Sequence, residues 1–453
     1  MHPKMSNRKP NSSSLQHLLR DNLRLLKDQL LQLDLDASAR QTGFCRRLPR
    51  KIPIPSFVLA LVALAAETVL SLERIATVIG LAADTSYSKQ SLHERLGQPL
   101  QDFLAQVATQ LFDRLGLAIK RQGWFRPFRR VLLHDSTVEP LPEHLAELFP
   151  GPGNGRKRRY ASLKIQFVCD LLTAQTLHLS LSGFTRNDQA ASPDILPLLQ
   201  PGDLIIRDLG YFVLKVLEKI DLACAFFLTR YRHGVLLYDP PSGQAIHLAK
   251  LLRPGQSLDR PVLLGREKIP VRLVAQPVSQ VLANQRRRQA RANRDYRLNP
   301  SPEHLYLLGW NLFVTNVPRS IWPAKALQPI YRLRWRIEVI FKAWKSHLGL
   351  RQLNCRTAPL LSLSAQTKLL FCIVVYQLCN ALELLGDYHH QHVSLLRLAR
   401  ILGHCACWFA ATLLGLTLAQ WIEAHLQHHA FYEARKDRKN FYELLAAVTH
   451  PLA

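Results

Sequence analysis

The chain has 453 residues, enough for two to four domains with sizeable cores. Hydrophobic residues make up 48%, which excludes a globally disordered chain. The 59 Lys and Arg stand against 33 Asp and Glu, a formal +26, and such an excess concentrates polyanions. Nucleic acid is therefore the expected partner, ahead of an anionic membrane surface.

Residues 15 to about 120 read as mostly helical, opening on the heptad-like Leu18, Leu19, Leu23, Leu25, Leu26, Leu30 and Leu31. Leu72 to Ile79 and Lys89 to Leu96, separated by the polar stretch Ala83 to Ser88, have the outline of a helix-turn-helix. Residues 1–122 are accordingly read as a helical DNA-binding region. The uncharged runs Phe57–Ala66, Leu369–Cys379 and Trp408–Ala419 fall short of the roughly 18 to 20 residues a bilayer demands, so they predict core helices and no membrane span. Met1 to Ser14 is polar and carries no secretory signal core, which predicts a cytoplasmic, nucleoid-associated protein.

The eight cysteines have no CxxC spacing, and Cys169, Cys224, Cys372 and Cys379 lie in apolar segments as small core residues. His404, Cys405 and Cys407, near His389, His390 and His392, lack the second spaced pair that a zinc site needs.

After Gly123 the pattern changes. Val131 to Leu133 is a short apolar run ending in His134 and Asp135, and alternation through Leu163–Cys169 and Leu177–Leu181 predicts a hairpin. A helical stretch at Asp194–Leu199, the strand Leu204–Ile206, a helix at Phe212–Ile220 and the strand Ala223–Leu228 follow. This order predicts an α/β core with a mixed sheet over residues 123–229. Residues 230–317 read as a β-rich insertion closed by a strand Tyr306–Thr315, and residues 318–385 as the second part of the core. Residues 386–453 form a helical C-terminal region suited to dimer contacts.

Asp135 and Asp208 both end short apolar strands, where side chains of open α/β sheets do chemistry, although each also suits a turn. Downstream, Tyr331, Arg334, Glu338 and Lys345 sit at offsets 0, 3, 7 and 14. At about 100° per residue they project within about 60° of one another on a single helix. Taken alone, that face also suits a solvated helix with an ordinary i,i+4 ion pair. Three carboxylates drawn together would suit hard divalent cations and in-line phosphoryl displacement.

Together these residues resemble the DDE transposases of bacterial insertion sequences, in the insertion-sequence-four subgroup marked by Tyr-x2-Arg-x3-Glu-x6-Lys. Tyr331, Arg334, Glu338 and Lys345 match that signature at every spacing, and Asp135 and Asp208 match the two family aspartates. The resemblance implies an RNase H-like core with the β-rich insertion before the glutamate, and two Mg²⁺ (or Mn²⁺) ions on Asp135, Asp208 and Glu338. It implies nicking at terminal inverted repeats of double-stranded DNA, then attack of the 3′-hydroxyl on target DNA, in a synaptic homodimer. Tyr331, Arg334 and Lys345 would grip phosphates, with Lys342 one turn beyond Glu338. Trp310 matches a tryptophan that stacks on a flipped base in a related class. Two basic runs add phosphate contacts, Arg156, Lys157, Arg158 and Arg159 in a loop and Arg286, Arg287 and Arg288 in the insertion. A nuclease of the same fold without strand transfer, or a non-catalytic DNA-binding derivative, would share most of this pattern.

Overall fold

The computed structural model describes residues 12–45, 53–65, 71–83, 87–114, 122–153, 160–292, 299–353, 357–385 and 392–429. Its centre is one nine-stranded mixed sheet: β1 (Val131–Leu141), β2 (Ala161–Asp170), β3 (Thr176–Gly183), β4 (Leu204–Arg207), β5 (Phe226–Arg230), β6 (Leu237–Tyr238), β7 (Leu258–Leu264), β8 (Ile269–Pro277) and β9 (Trp310–Thr315). The spatial order is β3-β2-β1-β4-β5-β9-β8-β7-β6. Strands β1, β4 and β5 run parallel, and every other neighbouring pair is antiparallel. The strands within 230–317 extend the same sheet through β9, which pairs with β5 on one side and β8 on the other.

Two apolar layers cover the sheet. One packs Val131, Leu133, Leu204 and Ile206 against N-terminal helices and the helices after residue 323. The other packs Leu132 and Ile205 against Val216, Leu217 and Ile220 of the helix Leu214–Leu222. Alternation along β1 and β4 divides their residues between these layers. Strand β2, flanked by β3 and β1, is buried at all ten positions despite its alternating sequence. Its polar side chains therefore need internal partners. Lys164 meets Asp188 at 2.7 Å, and Gln166 accepts from the Tyr211 hydroxyl at 2.6 Å.

Three sequence expectations change. The strand at Val131 does not stop before Asp135 but continues to Leu141, because its polar half pairs with β2 from Leu132 to Leu141. The expected strand Tyr306–Thr315 begins at Trp310, since Ser301 caps a short helix Pro302–Leu307. Cys224 is exposed, at positive φ in the turn before β5, whereas Cys169, Cys372 and Cys379 are buried.

The run Leu369–Cys379 belongs to a helix Ala358–Leu385 that is long and apolar enough to cross a membrane, contrary to the length argument. Most of it is buried within the protein, including the polar Thr367 and Lys368 that shorten the apolar run in sequence. The two helix-turn-helix candidates form Leu72–Ala83 and a helix of only five residues, Lys89–His93, with 84–86 outside the described residues.

Candidate active site

Strands β1 and β4 set the first two carboxylates. Their parallel register pairs Leu133 with Ile206 and His134 with Arg207, so the next residues, Asp135 and Asp208, stand side by side on the opposite face from His134 and Arg207. Behind them lies a buried polar layer. The Tyr211 ring is 4.1 Å from the His134 ring, and Arg207 donates to the Ser192 carbonyl and hydroxyl at 3.1 and 3.0 Å. Burial and the nearby Arg207 charge push the His134 pKa well down, so this layer holds a neutral imidazole.

The signature residues do not form one continuous helix. A first helix, Ala324–Arg332, ends in the turn Leu333–Arg334, and a second runs Trp335–Ser346. At the junction, Leu333, Arg334, Arg336 and Ile337 all donate to carbonyls three residues back, so the backbone tightens and the 100° projection breaks down there. The second helix buries Ile337, Ile340, Phe341, Ala343 and Trp344. Trp344 packs edge-on to Phe167 at 4.9 Å, and Phe167 is the β2 residue directly opposite Asp135. At its far end Gly403 lets a neighbouring helix approach, where any Cβ would lie 2.2 Å from the His347 carbonyl oxygen.

This packing gathers the three carboxylates around one guanidinium. Arg334 Nη1 is 3.0 Å from Asp135 Oδ2, Nη2 is 2.5 Å from Glu338 Oε1, and Nε is 3.9 Å from Asp208 Oδ1. Burial dominates at Asp135 and pushes its pKa up to about 6, against the opposing pull of the Ser136 amide and Arg334. For Arg334 burial works against the charge, yet Tyr331, Asp208 and Asp135 outweigh it and hold its pKa above the ordinary value. The Tyr331 hydroxyl lies 3.5 Å from Asp208 Oδ1, and burial beside that carboxylate pushes the phenol up to about 12.

The chain matches the family described as "Transposase DDE domain" over residues 126–374, more than half of its length. The chain belongs to the DDE transposase family. Among curated relatives, it is 29% identical over 357 residues to the transposase for insertion sequence element IS231B of Bacillus thuringiensis subsp. berliner, covering 72% of this chain and 74% of that protein. It is 28% identical over 362 residues to the IS231D transposase of Bacillus thuringiensis subsp. finitimus, covering 74% and 75%. With the IS1151 transposase of Clostridium perfringens the identity is 24% over 306 residues, covering 62% and 64%.

The transposase's DDE domain implies a divalent metal, and the donor set fits one: three carboxylates, the hard oxygen donors such cations take, surround the Arg334 guanidinium. Among the described residues no three acidic, His or Cys groups are close enough as placed to cage a single ion. The guanidinium occupies the space between them. Ions that take one or two carboxylates each, with water and phosphate oxygens completing the shell, need no such cage.

Other predicted residues fare differently. Lys342 is exposed on the helix face beyond Glu338. Lys345, partly exposed, meets Glu139 Oε1 at 2.6 Å and donates to the Val138 carbonyl at 2.8 Å. Arg286 donates to the Asn311 side chain at 2.8 Å and Arg287 to the Leu305 carbonyl at 3.0 Å, while Arg288 is exposed on the same helix, Gln280–Arg291. Arg156, Lys157, Arg158 and Arg159 lie outside the described residues. Trp310 is buried against Tyr306 at 4.8 Å, lining a cavity of about 410 Å³ with Arg230, His233, Arg286 and His304. Leu209, next to Asp208, lines the same cavity.

Sequence reasoning missed Arg230, whose guanidinium sits 5.6 Å over the Tyr331 ring, and Glu139. Glu139 carried a readable signal, since it follows Asp135 by two alternations and so shares its face of β1. Arg230 carried none, because its meeting with Tyr331 joins segments about a hundred residues apart.

Proposed function

We propose that this transposase nicks double-stranded DNA at the terminal inverted repeats of an insertion sequence and joins the freed 3′-hydroxyls to target DNA. Its centre is Asp135, Asp208 and Glu338 on an RNase H-like core, with Mg²⁺, or Mn²⁺ in its place, as cofactor. The observation that carries this reading is the convergence of all three carboxylates on Arg334, within 3.9 Å, from two strands and a helix far apart in sequence. The β3-β2-β1-β4-β5 portion of the sheet, with antiparallel β3, β2 and β1 followed by parallel β4 and β5, supports the RNase H-like assignment.

Divalent ions on these carboxylates would supply a water or 3′-hydroxyl nucleophile at neutral pH and stabilise the entering and leaving oxygens. The protein's share is positioning. Asp135 and Asp208 are held level by strand register, and Glu338 is held by the packing of its helix on β2. Cations on these carboxylates would free Arg334, whose guanidinium fork suits a DNA phosphate. Tyr331, Lys342, Arg230 and Arg288 extend the grip, and the basic run Arg156, Lys157, Arg158 and Arg159 adds to it in the same way. Trp310 and its cationic cavity provide a stacking platform for an unpaired base next to Asp208. The helical regions 1–122 and 386–453 take the roles of end recognition and of contacts within a synaptic dimer.

The test uses purified protein, a terminal-repeat duplex and a target plasmid. Asp135→Asn, Asp208→Asn and Glu338→Gln each abolish metal-dependent nicking and joining while end binding persists. Full nicking by any of the three removes that residue from the centre, and nicking without joining by the parent protein replaces the transposase reading with a nuclease.

A further inference from the structure

Glu139 lies in the polar half of β1, on the face it shares with Asp135, and is only 2% exposed. No step of the proposed reaction uses it. A carboxylate so deeply buried needs a counter-charge, and Lys345 provides it at 2.6 Å while also donating to the carbonyl of the neighbouring Val138 at 2.8 Å. That ammonium carries three N–H donors on a partly exposed side chain, so pairing with Glu139 is compatible with contact to a DNA phosphate.

The geometry of the pair matches a second contact at the other end of the helix. Arg334, just before the helix, meets Asp135 at 3.0 Å, and Lys345, in its last turn, meets Glu139. From Asp135 to Glu139 the strand advances about 13 Å, and from Glu338 to Lys345 the helix advances about 10 Å. Without metal, two acids of β1 thus hold two cations of the signature segment; once divalent cations take the place of Arg334, the Glu139–Lys345 contact is the fastening that remains. Trp344, next to Lys345, adds an apolar contact to β2 but fixes no polar register along β1.

We propose that Glu139 is a positioning residue for the cleavage reaction: through Lys345 it sets the axial and rotational placement of the Trp335–Ser346 helix, and with it the Glu338 carboxylate relative to Asp135. The lysine of the signature then acts as a fastening between helix and strand. This inference rests on the reading of Asp135, Asp208 and Glu338 as the metal-dependent centre.

The experiment compares the parent protein with Glu139→Gln, Lys345→Met and the double variant, each bound to a terminal-repeat duplex that cannot be cleaved. Electron paramagnetic resonance of added Mn²⁺ reads metal affinity, a salt titration reads end binding, and a cleavable duplex reads rate. Glu139→Gln loses Mn²⁺ affinity and cleavage rate by roughly 10- to 100-fold with end binding unchanged. Lys345→Met shows the same loss of Mn²⁺ affinity, and in that readout the double variant is no worse than either single one. Parental Mn²⁺ affinity and rate in Glu139→Gln, or additive losses of Mn²⁺ affinity in the double variant, each overturn the proposal. If circular dichroism shows that Glu139→Gln does not fold, the double variant, which removes both charges, carries the prediction alone: it shows the same loss, and parental Mn²⁺ affinity and rate in it overturn the proposal. Asp135→Asn, run alongside, separates the two readings. Cleavage by that variant overturns the metal centre itself, whereas its inactivity beside a fully active Glu139→Gln overturns only the role of Glu139.

Discussion

Arg334 Nη1 stands 3.0 Å from Asp135 Oδ2, and the same guanidinium reaches Glu338 and Asp208. The signature arginine is therefore the counterion of the three acids. Three carboxylates gathered around one guanidinium repel one another, and Asp135 is buried enough to suffer most. Arg334→Ala should destabilise the protein by roughly 3 kcal/mol at pH 8, because it leaves that charge unpaired. The loss should shrink on acidification, since a protonated Asp135 has no charge to compensate. Urea unfolding at pH 8 and pH 5 checks this, and an equal loss at both pH values would show that Arg334 stabilises by packing alone.

The pH dependence of the parent protein follows from Asp135 itself. Its folded pKa is about 6 against an ordinary 3.8, so the folded state binds the proton more tightly than the unfolded chain between those values. Stability without metal should fall as pH rises through that window, by roughly 3 kcal/mol in total, and the penalty is complete above about pH 6. Asp135→Asn removes the titrating group and should flatten this part of the curve. A curve that keeps its slope in that variant would assign the effect to another group. Metal binding has the opposite sign, because ligation needs the ionised carboxylate: affinity should fall about tenfold per pH unit below about pH 6.

Trp344 anchors the Trp335–Ser346 helix on β2, opposite Asp135. It is fully buried and stacks edge-on with both Phe167 and Phe341, at 4.9 and 5.5 Å. Trp344→Ala should cost about 3–5 kcal/mol of stability. Chemical denaturation gives the value, and a loss below 1 kcal/mol would mean that the helix is held from elsewhere.

Trp310 is buried now, so its use as a stacking platform requires a base to enter the adjoining cavity. Trp310→Ala should weaken capture of an unpaired base by about 1–3 kcal/mol, read as reduced quenching of a 2-aminopurine placed near the cut. Trp310→Phe should retain most of it. Parental quenching in the alanine variant would reduce Trp310 to a core residue.

Lys342 is the exposed cation of the Trp335–Ser346 helix. Lys342→Ala should flatten the dependence of end binding on salt by about one unit of slope, one counterion fewer being released. An unchanged slope would place Lys342 away from the DNA backbone.

Much of the site was legible because it rests on local order. The spacing of Tyr331, Arg334, Glu338 and Lys345, and the apolar runs before Asp135 and Asp208, survive in the chain whatever the tertiary arrangement. The mixed α/β class was legible too, since alternation and helical periodicity differ within short windows. The length of β1 was not, because only pairing with β2 carries its polar half as strand. Nor was the break at Leu333–Arg334, where tightened hydrogen bonding replaces the single helix that the periodicity predicts.

By itself the sequence determined which chemical groups are available and in what order: three carboxylates, a signature arginine and lysine, and a strongly basic chain. Only the tertiary structure decided what each group faces. The register of β1 and β4 sets Asp135 beside Asp208, the packing of Trp344 on Phe167 brings Glu338 to them, and burial of Glu139 claims Lys345. The physical reason is that periodicity is a property of neighbours along the chain, whereas burial and charge pairing depend on segments that folding alone brings together.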